Sequence, residues 1–229
     1  LKGKDSPENF FALNIGLEKI KASVWTIEAD NLKILNTAAS DYSKPDEILE
    51  VTDQVLDRCL GDILPEPEKI LFGVPDSYLV DEELKEEHSK LLQEVCKSLE
   101  LTPMAYVASS HALIHLLDKK EGSPTTAIAV DMGKEQVSVS ISRAGKVDGC
   151  KILKRGDSLA QDVERALLTF TGVEVLPSRI LIYSSVFDDL EKQKEELLAF
   201  SWMNRLPFLH IPKIEILETP FVFFLFCVS

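Results

Sequence analysis

Two stretches of this chain carry one pattern, "ALNIGLEKIKASV" at residues 12–24 and "AVDMGKEQVSVSI" at 129–141. Each runs from an apolar segment to a glycine (Gly16, Gly133), crosses three residues, and leaves with apolar side chains at every second position. An apolar run, a glycine turn and a period-two alternation describe a strand, a tight turn and a half-buried partner strand. A pattern that recurs at long range marks an internal duplication, and a duplicated chain must fold as two copies of one unit.

The rest of each copy agrees. In the first, "LKILNTA" supplies a third strand, and a helix follows from Pro45 to about Leu60. A buried strand "KILFGV" (69–74), a charged amphipathic helix at 81–99, a strand "MAYVA" and a helix from Ser109 or Ser110 complete it. In the second, "GKVDGCKILKR" is the third strand, and Ser158 caps a helix "LAQDVERALLTF". "RILIYS" (179–184), a charged helix at about 187–200 and a strand "KIEIL" come next. The apolar ending "FVFFLFCVS" aligns with the helix after Ser109, with Thr219 opposite Ser109 and Pro220 at a first helical position. It reads as the twin terminal helix, cut short; the other reading is the start of a longer membrane span, since it covers only about half of the roughly 20 residues such a span needs.

These elements define an α/β fold of two tandem halves, each β-β-β-α-β-α-β-α with a mixed five-stranded sheet. Uninterrupted apolar strands need cover on both faces, which helices provide. The expected division is a first half at 9–117, a polar linker "DKKEGSPTTA" at 118–127, and a second half at 128–229.

Composition narrows function. The net charge of −13, with no basic cluster, disfavours nucleic acid and anionic lipid as partners. Cys59, Cys96, Cys150 and Cys227 are scattered singly and read as reduced thiols of a cytosolic protein. His111 and His115 stand four apart on one helix without a further ligand, and His88 and His210 stand alone.

The segments "NIGLEKIKASV", "ILFGVPDSYL", "AVDMGKEQVSVSISRAGKV" and "RGDSLAQDVERAL" together resemble the actin-like ATPase superfamily, built from tandem ribonuclease-H-like halves. Within it they look closest to FtsA-type cell-division and PilM-type pilus-assembly proteins. The resemblance implies two phosphate-cradling hairpins, at Asn14–Lys19 and Asp131–Gln136. Asn14, Gly16, Asp131, Gly133, Lys134, Gly156 and Asp157 are the implied phosphate contacts, with Asp131 holding magnesium through water. It also implies a cytoplasmic location, peripheral to the inner face of the membrane, protein partners in pilus or division machinery, and self-association.

The chain departs from that pattern in its chemistry. Asn14 stands where the first loop carries Asp. The turns hold Leu17-Glu18-Lys19 and Lys134-Glu135-Gln136 in place of small residues, and a Glu in each opposes an approaching triphosphate. Ser184-Ser185-Val186-Phe187 replaces the Gly-Gly turn that accommodates adenosine. No room remains for the extra lobes that wall a nucleotide cleft. The expectation is therefore an interaction scaffold with impaired nucleotide binding and no cofactor. The alternative is a working magnesium–ATP-binding ATPase or switch using Asp131, Asn14, the glycine turns and Asp157. A ribonuclease-H-like nuclease would need several converging carboxylates, where the second copy offers Asp131 and Glu164. Asp76, after "GVP", is a further strand-end acid.

Overall fold

In the computed structural model, which describes residues 8–29, 31–80 and 83–217, the chain divides into two units between Ala108 and Ser109. In the first unit, β1 (Asn9–Ile15) and β2 (Lys19–Glu28) form the expected hairpin, and β3 (Asn31–Asp41) extends it antiparallel. Pro45–Glu47 makes one 3-10 turn before α1 (Ile48–Leu60), and β4 (Lys69–Val74) then lies parallel to β1. Next come a two-rung hairpin of β5 (Leu79–Val80) and β6 (Glu83–Leu84), α2 (Glu86–Ser98) and β7 (Thr102–Ala108), the last parallel to β4. The sheet order is β3-β2-β1-β4-β7.

The second unit opens with α3 (Ser109–Glu121) and repeats the plan: β8 (Ala127–Met132), β9 (Gln136–Arg143), β10 (Lys146–Lys154), α4 (Leu159–Leu167), β11 (Arg179–Tyr183), α5 (Glu191–Ala199) and β12 (Lys213–Ile216). Its order is β10-β9-β8-β11-β12, with β8, β11 and β12 parallel. Two five-stranded mixed sheets of matching topology are what the repeat demanded.

Period-two alternation sets each core. Leu13 and Ile15 of β1, Ile20 and Val24 of β2, and Ile70 and Phe72 of β4 share a cluster with Val55 and Cys59 of α1 and Val95 of α2. In the second unit Val130, Val137, Val139 and Ile182 meet Val163 and Ala166 of α4 and Leu197 of α5. Trp202 seals that cluster's edge, donating its indole N–H to the Leu197 carbonyl at 2.8 Å.

Three expectations change in detail. The first is the charged helix of residues 81–99, which is shorter. Leu79 and Leu84 pair across the β5–β6 hairpin, and α2 starts only after Lys85, whose N–H bonds the Tyr78 carbonyl. The second is the helix at 187–200, which begins at Glu191, because Ser184 and Asp189 bond the backbone N–H groups just ahead of it. The third is α3, which runs four residues into the polar stretch 118–127 and groups with the second unit. Arg179 of β11 clamps the Glu121 carboxylate at 3.0 and 2.8 Å and also bonds Glu215 of β12. Asp118 accepts the Thr125 N–H at 2.6 Å. The twin terminal helix, with Thr219, Pro220 and Cys227, lies outside the described residues.

Leu13→Ala and Ile180→Ala, each at a position with 0% exposure, should lower unfolding free energy by about 2–5 kcal/mol in urea titrations. Leu64→Ala, at 79% exposure, should stay within about 0.5 kcal/mol.

Candidate functional site

The two glycine hairpins are built alike down to single bonds. The Gly16 N–H donates to the Lys19 carbonyl at 2.9 Å, and the Gly133 N–H donates to the Gln136 carbonyl at 2.8 Å. Just beyond the third strand, the Tyr42 N–H meets the Glu18 carbonyl at 3.1 Å, and the Arg155 N–H meets the Glu135 carbonyl at 2.8 Å. The same two residues then turn their side chains onto the glycine carbonyls. The Tyr42 hydroxyl donates to Gly16 O at 2.6 Å, and Arg155 Nη1 donates to Gly133 O at 3.0 Å. Each turn is thus locked by three equivalent bonds, and neither glycine N–H points outward as a free donor.

Asn14 and Asp131 occupy matching rungs. Asn14 pairs with Lys21 and Gly73, and Asp131 with Ser138 and Tyr183. Asn14 is buried, and its Oδ1 has no hydrogen-bond partner among the described residues. Asp131 is half-buried. The flanking charges differ between the turns. Glu18 is 9% exposed, whereas Lys134 and Glu135 are exposed. Lys19 pairs with Asp41 at 3.2 Å, which removes it as a ready phosphate ligand.

The turn "RGDSL" before α4 is filled by the protein's own acids. Ser158 caps the helix, its Oγ accepting the Gln161 N–H at 3.3 Å. The carboxylate of Glu196, from α5, accepts both the Ser158 hydroxyl at 2.6 Å and the Ala160 N–H at 3.0 Å. Asp162, 2% exposed, accepts the Gly156 N–H at 2.8 Å and pairs with Arg165. Asp157 itself is exposed. A helix N-terminus with unpaired N–H groups attracts anions; here a carboxylate already sits on it.

The turn after β11, where the resemblance implies adenosine, is closed in the same way. Ser184, fully buried, donates to the Met132 carbonyl at 2.5 Å while its Oγ accepts the Val186 and Phe187 N–H groups, each at 3.0 Å. Phe187 lies under the Arg155 guanidinium, 5.4 Å from ring centroid to cation. No open glycine turn exists there, and the donors such a turn would present are consumed.

The other candidates are apart from these groups in each unit's own bonding. Glu164 pairs with Arg205 at 3.1 Å. His111 is half-buried and His115 exposed, and no group of three or more His, Cys, Asp or Glu suited to a metal occurs among the described residues. His88 does not stand alone: its ring stacks on Tyr78 with centroids 3.6 Å apart, and burial lowers its pKa. Asp76 opens the short turn carrying Tyr78.

Sequence reading missed Tyr42, Arg155, Glu196 and Asp162. Tyr42 lies 26 residues from Gly16 and Arg155 lies 22 from Gly133, so the two locks fall out of alignment although they are equivalent in space. Glu196 is 38 residues from Ser158 and resembles any exposed helix acid.

Comparison with solved structures follows the topology. A PilM–PilN type IV pilus biogenesis complex matches with a TM-score of 0.63 at 11% identity, over 91% of this chain and 88% of that one. The ethanolamine utilization protein EutJ from Carboxydothermus hydrogenoformans gives 0.59 at 14% identity, over 96% and 90%. A Bacteroides thetaiotaomicron protein with an actin-like ATPase fold and unknown function gives 0.56 at 11%, over 95% and 93%. The fold is actin-like. At such identities the likeness bears on fold alone. No protein-family model matches the sequence, and no curated protein is similar to it. No helix of the actin-like units is long and apolar enough to cross a membrane, among the described residues.

Glu196→Ala strips the partner from the Ser158 hydroxyl and the Ala160 N–H, and should cost about 1–3 kcal/mol in chemical denaturation. Added inorganic phosphate should raise the variant's thermal midpoint more than the wild type's. The tyrosines make a pH prediction. Burial, then the nearby Glu87, pushes Tyr78 up to about 12, and burial also raises Tyr42. A raised native pKa means that the native state holds the proton more tightly, so this stability is full below about pH 10 and falls as pH rises toward 12. Alkaline unfolding followed by circular dichroism should be blunted in Tyr78→Phe.

Proposed function

We propose that this chain is an actin-fold interaction scaffold for membrane-associated pilus, secretion or cell-division machinery, with impaired nucleotide binding. The observation that carries the reading is the occupation of α4's N-terminus by Glu196, together with capture of the Gly156 N–H by Asp162. A phosphate arriving there would meet two carboxylates where it needs donors, and like charges at hydrogen-bond distance repel strongly in a partly buried site. The turn glycines spend their N–H groups inside the hairpins, and Ser184 closes the segment that would take the adenosine. These bonds make the α4 turn and the segment after β11 a poor receptor for a nucleotide. The actin-like neighbour in complex with PilN supports a role exercised through a protein partner.

One observation favours the alternative, a nucleotide-binding ATPase or switch. The Asn14 Oδ1 is a buried acceptor without a partner among the described residues, and a water of a hydrated magnesium is a donor that would satisfy it.

Titration with magnesium–ATP, followed by thermal unfolding, separates the two. A ligand at a hundredfold over its dissociation constant stabilises the native state by about 2.7 kcal/mol. No shift at millimolar ATP is expected. An upward shift that vanishes in Asp131→Ala would overturn the scaffold reading.

A further inference from the structure

The first unit carries two adjoining depressions that the hairpins and turns do not use. One is a groove of about 620 Å³ between α2 and β7, floored by Phe72, Leu92, Cys96 and Leu101 and flanked by Met104 and Tyr106. β7 is the last strand of its sheet, and residues 102–106 are exposed, with Met104 at 49% and Tyr106 at 41%. The second is a pocket of about 180 Å³ that shares Leu101 and is bounded by Phe11, Leu56, Leu60 and Leu99. Three carboxylates, Asp53 and Asp57 of α1 and Glu66, also line it. None of the three side chains has an ion-pair or hydrogen-bond partner among the described residues, while Glu8, Glu28 and Glu164 elsewhere each hold a cation. Glu66 and Pro67 lead into β4 and Leu99 into β7, so the pocket lies at the strand starts, the end of the sheet away from Asn14 and Gly73.

We propose that this surface binds a segment of a partner protein that presents apolar side chains and, beside them, a lysine or arginine. The apolar side chains enter the groove, and the basic one enters the pocket. An apolar-walled pocket of this size with acids around it suits a long aliphatic stem ending in a cation, which buries its methylenes and keeps its charge among the carboxylates. The chain's net charge of −13 draws a basic segment toward it. Side-chain insertion, rather than simple strand addition, fits the edge. The β4–β7 register slips between Pro103 and Ala105, and Pro103 lacks an N–H, so β7 is a poor template for a further ladder. A second copy is a poorer match as well. It brings the same negative charge, and its own exposed β7 segment "TPMAYVA" has no basic residue for the pocket.

This inference rests on the reading of the chain as a protein-binding module, and its test does not involve nucleotide, so either can fail alone. The folded full chain is panned against a random twelve-residue peptide library displayed on phage. An enriched peptide is then synthesised with a fluorophore and titrated by fluorescence anisotropy. Enriched sequences should combine apolar residues with lysine or arginine. Met104→Glu with Tyr106→Glu, at exposed positions, should weaken binding at least tenfold. Asp53→Asn, Asp57→Asn and Glu66→Gln together should weaken it about tenfold and flatten its salt dependence. Replacing the peptide's basic residue with norleucine should cost the wild type as much and the triple variant nothing. Circular dichroism checks that every variant is folded. Failure to enrich a basic-apolar motif, or binding that both sets of variants leave unchanged, overturns the proposal. Concentration-dependent dimerisation abolished by Met104→Glu with Tyr106→Glu would instead assign the groove to a second copy.

Discussion

Everything in each half hangs from the lock on its glycine turn. A two-stranded hairpin is marginal by itself, and here each one is fastened at the turn by a third strand that has run past its own end. Tyr42 and Arg155 perform that fastening twice over, once through a backbone N–H and once through a side-chain donor on the glycine carbonyl. With the turn held, β1 and β8 are fixed in depth. Their parallel partners β4 and β11 then register against them, and the helices are placed by the apolar faces so formed. The same bonds that stabilise the turn withdraw its donors from any outside ligand.

This trade explains the chemistry of the second unit. Phosphate-binding turns keep N–H groups unpaired at a helix start, which is unfavourable until the ligand arrives. Glu196, Asp162 and Ser184 each relieve such a group from within. The unit is more self-sufficient as a result. In the first unit, by contrast, Asn14 Oδ1 stays a buried acceptor without a partner among the described residues, as do Trp25 Nε1 and Thr52 Oγ1.

The fold was legible because it is written in periodicity. Alternation in 12–24 and 129–141 and the apolar runs 69–74 and 179–184 are local signals, and strand order follows once they are seen to repeat. Helix starts were read less well where tertiary bonds override the pattern, as at Lys85 and Asp189. The chemistry of the candidate site was half legible. Asn14 for Asp, and the missing Gly-Gly turn, marked departures from the family pattern. The carboxylate on the α4 N-terminus was hidden, because Glu196 reaches it from another helix and nothing in "EKQKEELLA" distinguishes it from its neighbours.

The junction at Ala108–Ser109 has a meaning for how force passes along the chain. β7 ends at Ala108 and α3 begins at Ser109, with no intervening loop, and Arg179 ties the far end of α3 to β11 and β12 through Glu121 and Glu215. Load applied to α3 is therefore borne at its far end by an ion triad of Glu121, Arg179 and Glu215.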